Sequence, residues 1–248
     1  MSVDRPPAVT MLGVPVHQVT MDGALAQVEK LMQEPGLHQI ATANPEFVMR
    51  AQKDAGFLAI LRRVDLSLAD GIGLVWISAW YGARLPERVP GSELVYHLAE
   101  RCARRGWRLF LLGAAPGVAE KAGERLIELY PGLEIAGTYA GSPAPAENDE
   151  IVTRINESRA DVLYVAYGAP NQDRWIDRNR DALLTVRMAM GVGGSLDFIS
   201  GRVQRAPGWM QRLGIEWVFR LLQQPWRWRR MLAIPRFVWA AWKEVRGR

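Results

Sequence analysis

Five short apolar runs, at residues 38–43, 65–69, 107–112, 161–167 and 186–192, constrain the fold more than any other feature. Each reads as a strand buried on both faces, as in a mostly parallel sheet. Helical patterns separate them. One covers 21–33 behind Thr20 as a cap, and one covers 45–62, opened by Pro45 at a favoured first-turn position. Others fall near 72–81, 92–105, 116–130, 147–158 and 171–181. Alternating strand and helix predicts βαβ units, hence a Rossmann-like α/β fold whose mostly parallel sheet is sandwiched by helices. The stretch Gly141-Ser142-Pro143-Ala144-Pro145 is a turn-rich connection within that domain.

Beyond residue 200 the character of the chain changes. Residues 1–200 carry 20 Lys and Arg against 24 Asp and Glu, whereas 201–248 carry 11 against 2. Six of the ten tryptophans also fall in the later segment. The predicted division is therefore an acidic, Rossmann-like body, 1–200, and a basic helical appendage rich in Trp and Arg, 201–248, broken by Pro207, Pro225 and Pro235. With 49% apolar residues and a mean hydropathy of −0.08, the chain is neither disordered nor a multi-span membrane protein. No 18-residue uncharged apolar run occurs, and the opening residues lack the pattern of a secretory signal. A lone cysteine, Cys102, allows no intramolecular disulfide. The expected location is cytoplasmic unless the chain sits on a membrane surface.

In open parallel sheets, ligands bind at the carboxyl ends of strands, so the strand-to-helix turns are where chemistry is expected. Thr42 and Asn44 end the second element of the pattern; they can orient a polar ligand, or Asn44 can simply cap the helix behind it. Asp70 closes the next apolar run, placed for general-base work or, equally, for capping. The turn at Gly113 offers backbone amides to a phosphate or ribose. Gln172 follows the run ending at Tyr167, where polar side chains suit sugar hydroxyls or a plain surface helix start. Gly191, Gly193 and Gly194 make a tight turn after the last run. Neither a dinucleotide fingerprint nor a phosphate-binding Walker sequence is present, which counts against an oxidoreductase or NTPase.

The appendage arginines, among them Arg220, Arg227 and Arg230, outnumber its single lysine ten to one. A planar guanidinium binds phosphate oxygens in pairs, so this bias points to phosphate. Projected on a helix, Trp228, Leu232, Trp239 and Trp242 share a stripe beside Arg229, Arg236 and Lys243. That is the composition of an interfacial membrane helix, with packing against the body as the rival. A nucleic-acid arm is the other reading of a basic tail, but an acidic body offers no matching groove. No metal-ligand spacing occurs among His17, His38, His97 and the acids, and there is no Asp-x-Asp.

Taken in order, several segments resemble the WecG/TagA/CpsF family of bacterial glycosyltransferases. They are Thr42-Ala43-Asn44-Pro45-Glu46, Asp70-Gly71-Ile72-Gly73, Arg88-Val89-Pro90-Gly91-Ser92-Glu93-Leu94, Leu112-Gly113-Ala114 and Gly168 to Trp175. Gly191-Val192-Gly193, Asp197 to Gly201, Arg205-Ala206-Pro207, Gly214 to Trp217 and the Arg220 to Arg230 cluster complete the series.

The resemblance implies inverting, metal-independent transfer of a sugar, N-acetylmannosamine-type or glucose-type, from a UDP-sugar to a polyprenyl-diphosphate-linked saccharide in cell-surface polysaccharide synthesis. It implies no cofactor, and a cytoplasmic protein peripheral on the inner face of the cytoplasmic membrane. Under it Asp70 is the general base, Thr42 and Asn44 position the sugar or acceptor, and Gln172 lines the same pocket. Arg220, Arg227 and Arg230 face the diphosphate. The partners it implies are the donor, the lipid-linked acceptor, an anionic membrane surface and a second copy of the chain in a homo-oligomer, with no nucleic acid. A catalytically inactive scaffold of a polysaccharide assembly complex is the alternative. Where the family usually has Lys-Gln-Glu, this chain has Asn171-Gln172-Asp173, which bears on sugar specificity more than on reaction class.

Overall fold

A computed structural model of the protein describes residues 4–212, 216–223 and 228–247. An antiparallel hairpin, β1 (Ala8–Met11) and β2 (Val14–His17), opens the chain. Its two-residue turn, Leu12-Gly13, has positive φ at both positions, the conformation that matches strand twist in a tight hairpin. Next come α1 (Met21–Leu31), β3 (His38–Ala43), α2 (Pro45–Ala51), α3 (Ala55–Arg63), β4 (Leu66–Ala69) and α4 (Ile72–Ser78), which runs into a 3-10 turn at Ala79–Tyr81. The second half holds α5 (Gly91–Arg105), β5 (Leu109–Gly113), α6 (Val118–Leu129), β6 (Ile135–Tyr139), α7 (Asn148–Ser158), β7 (Val162–Ala166), α8 (Asn171–Arg178), β8 (Met188–Gly191) and α9 (Ser195–Ile199). Beyond it lie α10 (Gly208–Arg212), α11 (Glu216–Gln223), α12 (Trp228–Met231) and α13 (Ala233–Arg246).

Six strands form one sheet in the order β4-β3-β8-β7-β5-β6, with every pairing parallel. One face is covered by α1, α5, α6 and α9, which bury Leu25, Leu94, Leu98, Leu126 and Leu196 against Leu66, Leu111 and Tyr164 of the sheet. On the other face α7 and α8 bury Ile155, Trp175 and Ile176, while α2, α3 and α4 bury Phe47, Phe57 and Leu74. Helices α6 and α8 thus leave adjacent strands, β5 and β7, toward opposite faces. This is the topological switch that opens a crevice at the carboxyl ends of a parallel sheet.

The sequence reading places β3, β4, β5, β7 and β8 to within two or three residues and misses β1, β2, β6 and the short α9. Strand β6 lies at the sheet edge and is only half-buried along its length, so it lacks a continuous apolar run. The β1–β2 hairpin sits outside the main sheet. The helix expected over 45–62 is two helices, because Asp54 Oδ1 accepts from the Phe57 backbone N–H (3.0 Å) and starts the second.

At the amino end of the sheet, Asp65 is a buried anchor. It accepts from the guanidinium of Arg5 (2.7 Å) and the Gln39 N–H (2.9 Å), and pairs with His38 Nδ1 (3.3 Å) and Arg180 (3.4 Å). Burial pushes its carboxyl up; the His38 and Gln39 hydrogen bonds and the Arg180 charge outweigh this and leave it below the usual carboxylate range. His17 holds the neighbouring Ser67 N–H at 2.9 Å from Nδ1. Both histidines act here as structural groups through Nδ1, while the buried His38 Nε2 has no hydrogen-bond partner.

The final helix, α13, is docked on the body. Ala233, Phe237 and Ala241, spaced four apart, are buried on one stripe, and Phe237 and Ala241 join the same apolar cluster as Phe47 and Leu74. Glu244 fixes the far end, accepting from the Leu12 N–H (3.0 Å) and the Tyr81 hydroxyl (2.6 Å). Pro235 falls in the first turn, where its missing N–H costs nothing. Among the described residues no helix is long and apolar enough to cross a membrane.

Candidate active site

Because every strand of the main sheet is parallel, the turns after β3, β4, β5, β7 and β8 open on one edge. Thr42 is the penultimate residue of β3, almost buried, in register with Leu68 of β4. Asp70 is one residue beyond β4, and its N–H donates to Ala43 O (2.8 Å), so the ladder places it beside the Asn44 turn. Gly71 touches that turn directly: a β-carbon there would lie 2.7 Å from Pro45 Cδ and 3.4 Å from Asn44 Cβ. The glycine is thus required by close packing between the two turns.

The carboxylate of Asp70 accepts from the Gly91 N–H (3.2 Å), the first residue of α5. Pro90, which precedes that helix, supplies no side-chain cap, so Asp70 satisfies one of its free amides from outside. This differs from capping the helix that follows it in sequence, α4, which begins behind Gly71 with no side-chain cap. Gly91 also abuts Thr42, since a β-carbon at Gly91 would sit 3.0 Å from Thr42 Oγ1 and 3.1 Å from Cγ2. Thr42, Asn44, Asp70 and Gly91 therefore form one contiguous group. Asn44 itself does cap α2: its Oδ1 accepts from the Phe47 N–H (3.0 Å), which leaves the Nδ2 amide as the end available to a ligand.

Gln172 enters this edge from α8. Its side chain is buried over β8, next to β3 in the sheet, and Oε1 accepts from the Gly193 N–H (3.0 Å). Gly191 leaves the room it occupies, for a β-carbon there would lie 2.6 Å from Gln172 Cδ and 2.7 Å from Cγ. Gly113 is further along. At a strand spacing of about 4.8 Å, β5 lies roughly 14 Å from β3. There φ is +96° and a β-carbon would be 2.9 Å from the Ala166 carbonyl carbon, so glycine is demanded by both conformation and space. Just past Gly113 a cleft of ≈ 410 Å³ is lined by Ala115, Gly117, Lys121, Ser200, Gly201 and Arg202.

Of the three appendage arginines singled out, Arg227 lies outside the described residues, and the side chains of Arg220 and Arg230 do as well. Two groups near the edge carry no role in the sequence reading. Arg88 is one: the neighbouring Val89 N–H donates to Ala69 O (2.8 Å), so the 88–91 segment wraps the Asp70 turn, and the Arg88 guanidinium pairs with Glu93 (3.6 Å). Arg205 reaches the same Glu93 (3.4 Å) and donates to Ser92 Oγ (3.2 Å). The signal for Arg88 was its place in the Arg88 to Leu94 segment.

Asp173 is the other. It is buried beside Gln172, both carboxyl oxygens lack a hydrogen-bond partner, and only its main-chain carbonyl is held, by Gln39 Nε2 (3.1 Å). Burial pushes its carboxyl up to about 7. Among the described residues no three His, Cys, Asp or Glu side chains cluster as a metal site.

Comparison with known proteins places these turns in context. The family model described as Glycosyl transferase WecG/TagA/CpsF family matches residues 9–248. A Bacillus spizizenii protein is 40% identical over 208 residues, covering 84% of this chain and 80% of its own length. A Bacillus subtilis protein is 35% identical, with the same coverage of each chain. One from Staphylococcus aureus (strain MW2) is 31% identical over 240 residues, 96% of this chain and 93% of its own. All three are named N-acetylglucosaminyldiphosphoundecaprenol N-acetyl-beta-D-mannosaminyltransferase.

Proposed function

Because the chain belongs to the WecG/TagA/CpsF glycosyltransferase family, we propose that it moves N-acetylmannosamine from a UDP-linked donor to an N-acetylglucosaminyl-diphosphate-polyprenol acceptor. The observation that carries this reading is the contiguous group of Thr42, Asn44 and Asp70 on the carboxyl edge, with the Asp70 carboxylate oriented by the Gly91 N–H. The substrate sugar comes from the relatives' names.

In the proposed step, an acceptor hydroxyl gives its proton to Asp70 as its oxygen bonds the anomeric carbon. The bond from that carbon to the diphosphate oxygen breaks, UDP departs with the electron pair, and configuration inverts. Thr42 and the Asn44 amide orient the sugar, and Gln172 closes the side over β8. The roughly 14 Å from β3 to β5 suits a nucleotide-sugar laid along the edge, with the nucleotide toward Gly113. The leaving diphosphate accumulates negative charge, and arginines are assigned to neutralise it in place of a metal: Arg220, Arg227 and Arg230, with Arg88 at the Asp70 end. We assign the reaction to the inner membrane surface, where a lipid-linked acceptor would meet a UDP-linked donor. The basic, Trp-bearing appendage is the part assigned to that contact, and a self-associating body is compatible with it.

The test is UDP release by the purified protein across a panel of UDP-sugars, with a short-chain acceptor and EDTA present. Acceptor-dependent turnover with UDP-N-acetylmannosamine is expected, and Asp70→Asn should lower it by about 10²–10⁴-fold while UDP still binds. Full turnover in that variant removes Asp70 as the base. Absence of turnover across donors, acceptors and added magnesium overturns the transferase reading in favour of a scaffold.

A further inference from the structure

Four large aromatic side chains stand in solvent on adjoining elements: Trp76 (69% exposed) and Trp80 (44%) of the body, and Trp239 (63%) and Trp242 (43%) of α13. Helix α13 lies directly against α4 and the turn Ala79–Tyr81, the elements that carry Trp76 and Trp80. So much exposed indole on touching segments marks an interaction surface rather than scattered surface hydrophobes.

Within residues 72–84 and α13 the outward charges are cations. Residues 72–81 contain no ionisable acid or base other than Tyr81, and exposed Arg84 follows them. On α13 Arg236, Lys243 and Arg246 are exposed, with Lys243 over the Trp239 ring (5.7 Å) and Arg246 over the Trp242 ring (4.3 Å). The sole acid of α13, Glu244, turns to the body, where it holds Leu12 and Tyr81. Indole rings interleaved with outward cations, and acids turned inward, are the chemistry of an anionic bilayer's interfacial zone.

We propose that Trp76 and Trp80 of the body, together with Trp239 and Trp242 of α13, form one docking face for an anionic lipid bilayer. The body thus supplies half of the lipid contact, beyond the appendage. Trp76 lies in α4, which begins two residues past Asp70, and stands roughly 6 Å of helix rise from the helix start, so docking through α4 would bring the Asp70 turn near the headgroups. The proposal rests on the transferase reading only for its purpose; lipid binding itself is measured without any transfer.

The experiment is co-sedimentation of the full chain with phosphatidylcholine vesicles containing about a third phosphatidylglycerol, against phosphatidylcholine alone. Trp76→Ala/Trp80→Ala should lower partitioning onto the anionic vesicles by about tenfold or more. Turnover on a short, water-soluble acceptor should stay within about twofold, since neither residue is placed in the site.

A second variant, Trp76→Phe/Trp80→Phe, keeps the apolar bulk and fold. It should lose part of the fluorescence quenching that acyl-brominated lipids impose on the native protein. Native-like partitioning and quenching in these variants would overturn the proposal. So would a lipid-free oligomer that Trp76→Ala/Trp80→Ala converts to monomer, which would assign the face to a second copy of the chain. Failure of the transferase reading would register separately, as absent UDP release with the vesicle result intact.

Discussion

Substituting Gly191 by alanine separates the two jobs of Gln172. The added β-carbon would lie 2.6 Å from Cδ and 2.7 Å from Cγ of Gln172, and would also meet Nε2, so no small rotation of the amide clears it. The side chain must leave its slot over β8. Overpacking of this kind costs about 1–3 kcal/mol, and the Gly193 N–H, stripped of its Gln172 acceptor, adds a further 1–3 kcal/mol or so. With some 2–4 °C of melting temperature per kcal/mol at this chain length, the expected fall is roughly 4–24 °C. Calorimetry reads it.

The decisive variant is Gly191→Ala/Gln172→Ala. It removes the obstructing side chain, so it should be more stable than Gly191→Ala alone, with a coupling of about 1 kcal/mol or more in the rescuing direction. Transfer should nevertheless stay low in the pair if Gln172 touches substrate. Simple addition of the two single costs would refute the packing argument. Restored transfer in the double variant would refute the pocket role and leave Gln172 a structural residue.

Two further outcomes follow from burial. Asp173 has its carboxyl raised to about 7 by desolvation, so the folded state holds a proton that the unfolded chain releases near 3.8. Its contribution to stability is therefore fullest below pH 3.8 and is lost as pH rises toward 7. Asp173→Asn should widen its stability advantage over the native protein across that window and level off above it, as read by denaturant titration; a difference independent of pH would place the buried proton elsewhere. Phe237→Ala empties a fully buried position of α13 and should cost about 3–5 kcal/mol, measured as a lowered denaturation midpoint. A loss under about 1 kcal/mol would mean that α13 contributes little to the core.

What the sequence could disclose divides along physical lines. Continuous apolar runs marked β3, β4, β5, β7 and β8 because strands buried on both faces leave that trace. Edge strand β6 and the β1–β2 hairpin leave none, since half their surface is wet or packed outside the main sheet. At the site, residue types at strand ends identified Thr42, Asn44, Asp70 and Gln172 as candidates. Their partners were not legible. Gly91 meets Asp70 and Gly193 meets Gln172 across 21 residues each, contacts that exist only once the sheet order is known. Asp173 was visible only as a shortened acid; its isolation depends on burial that no local pattern encodes. The Trp stripe of α13 was legible as a stripe, but the buried residues Ala233, Phe237 and Ala241 on the opposite side were needed to show which way it faces.

Docking of α13 also orders events at the ribosome. Val9, Met11, Val14 and Val16 share one apolar cluster with Phe237 and Ala241, and Leu12 is tied to Glu244. Synthesis proceeds from the amino end, so β1 and β2 wait for α13, which follows them by most of the sheet, before their cluster is whole. A nascent or prematurely terminated chain carries that apolar face uncovered, a ready target for chaperones and proteases. Synthesis through α13 is thereby coupled to burial of the face.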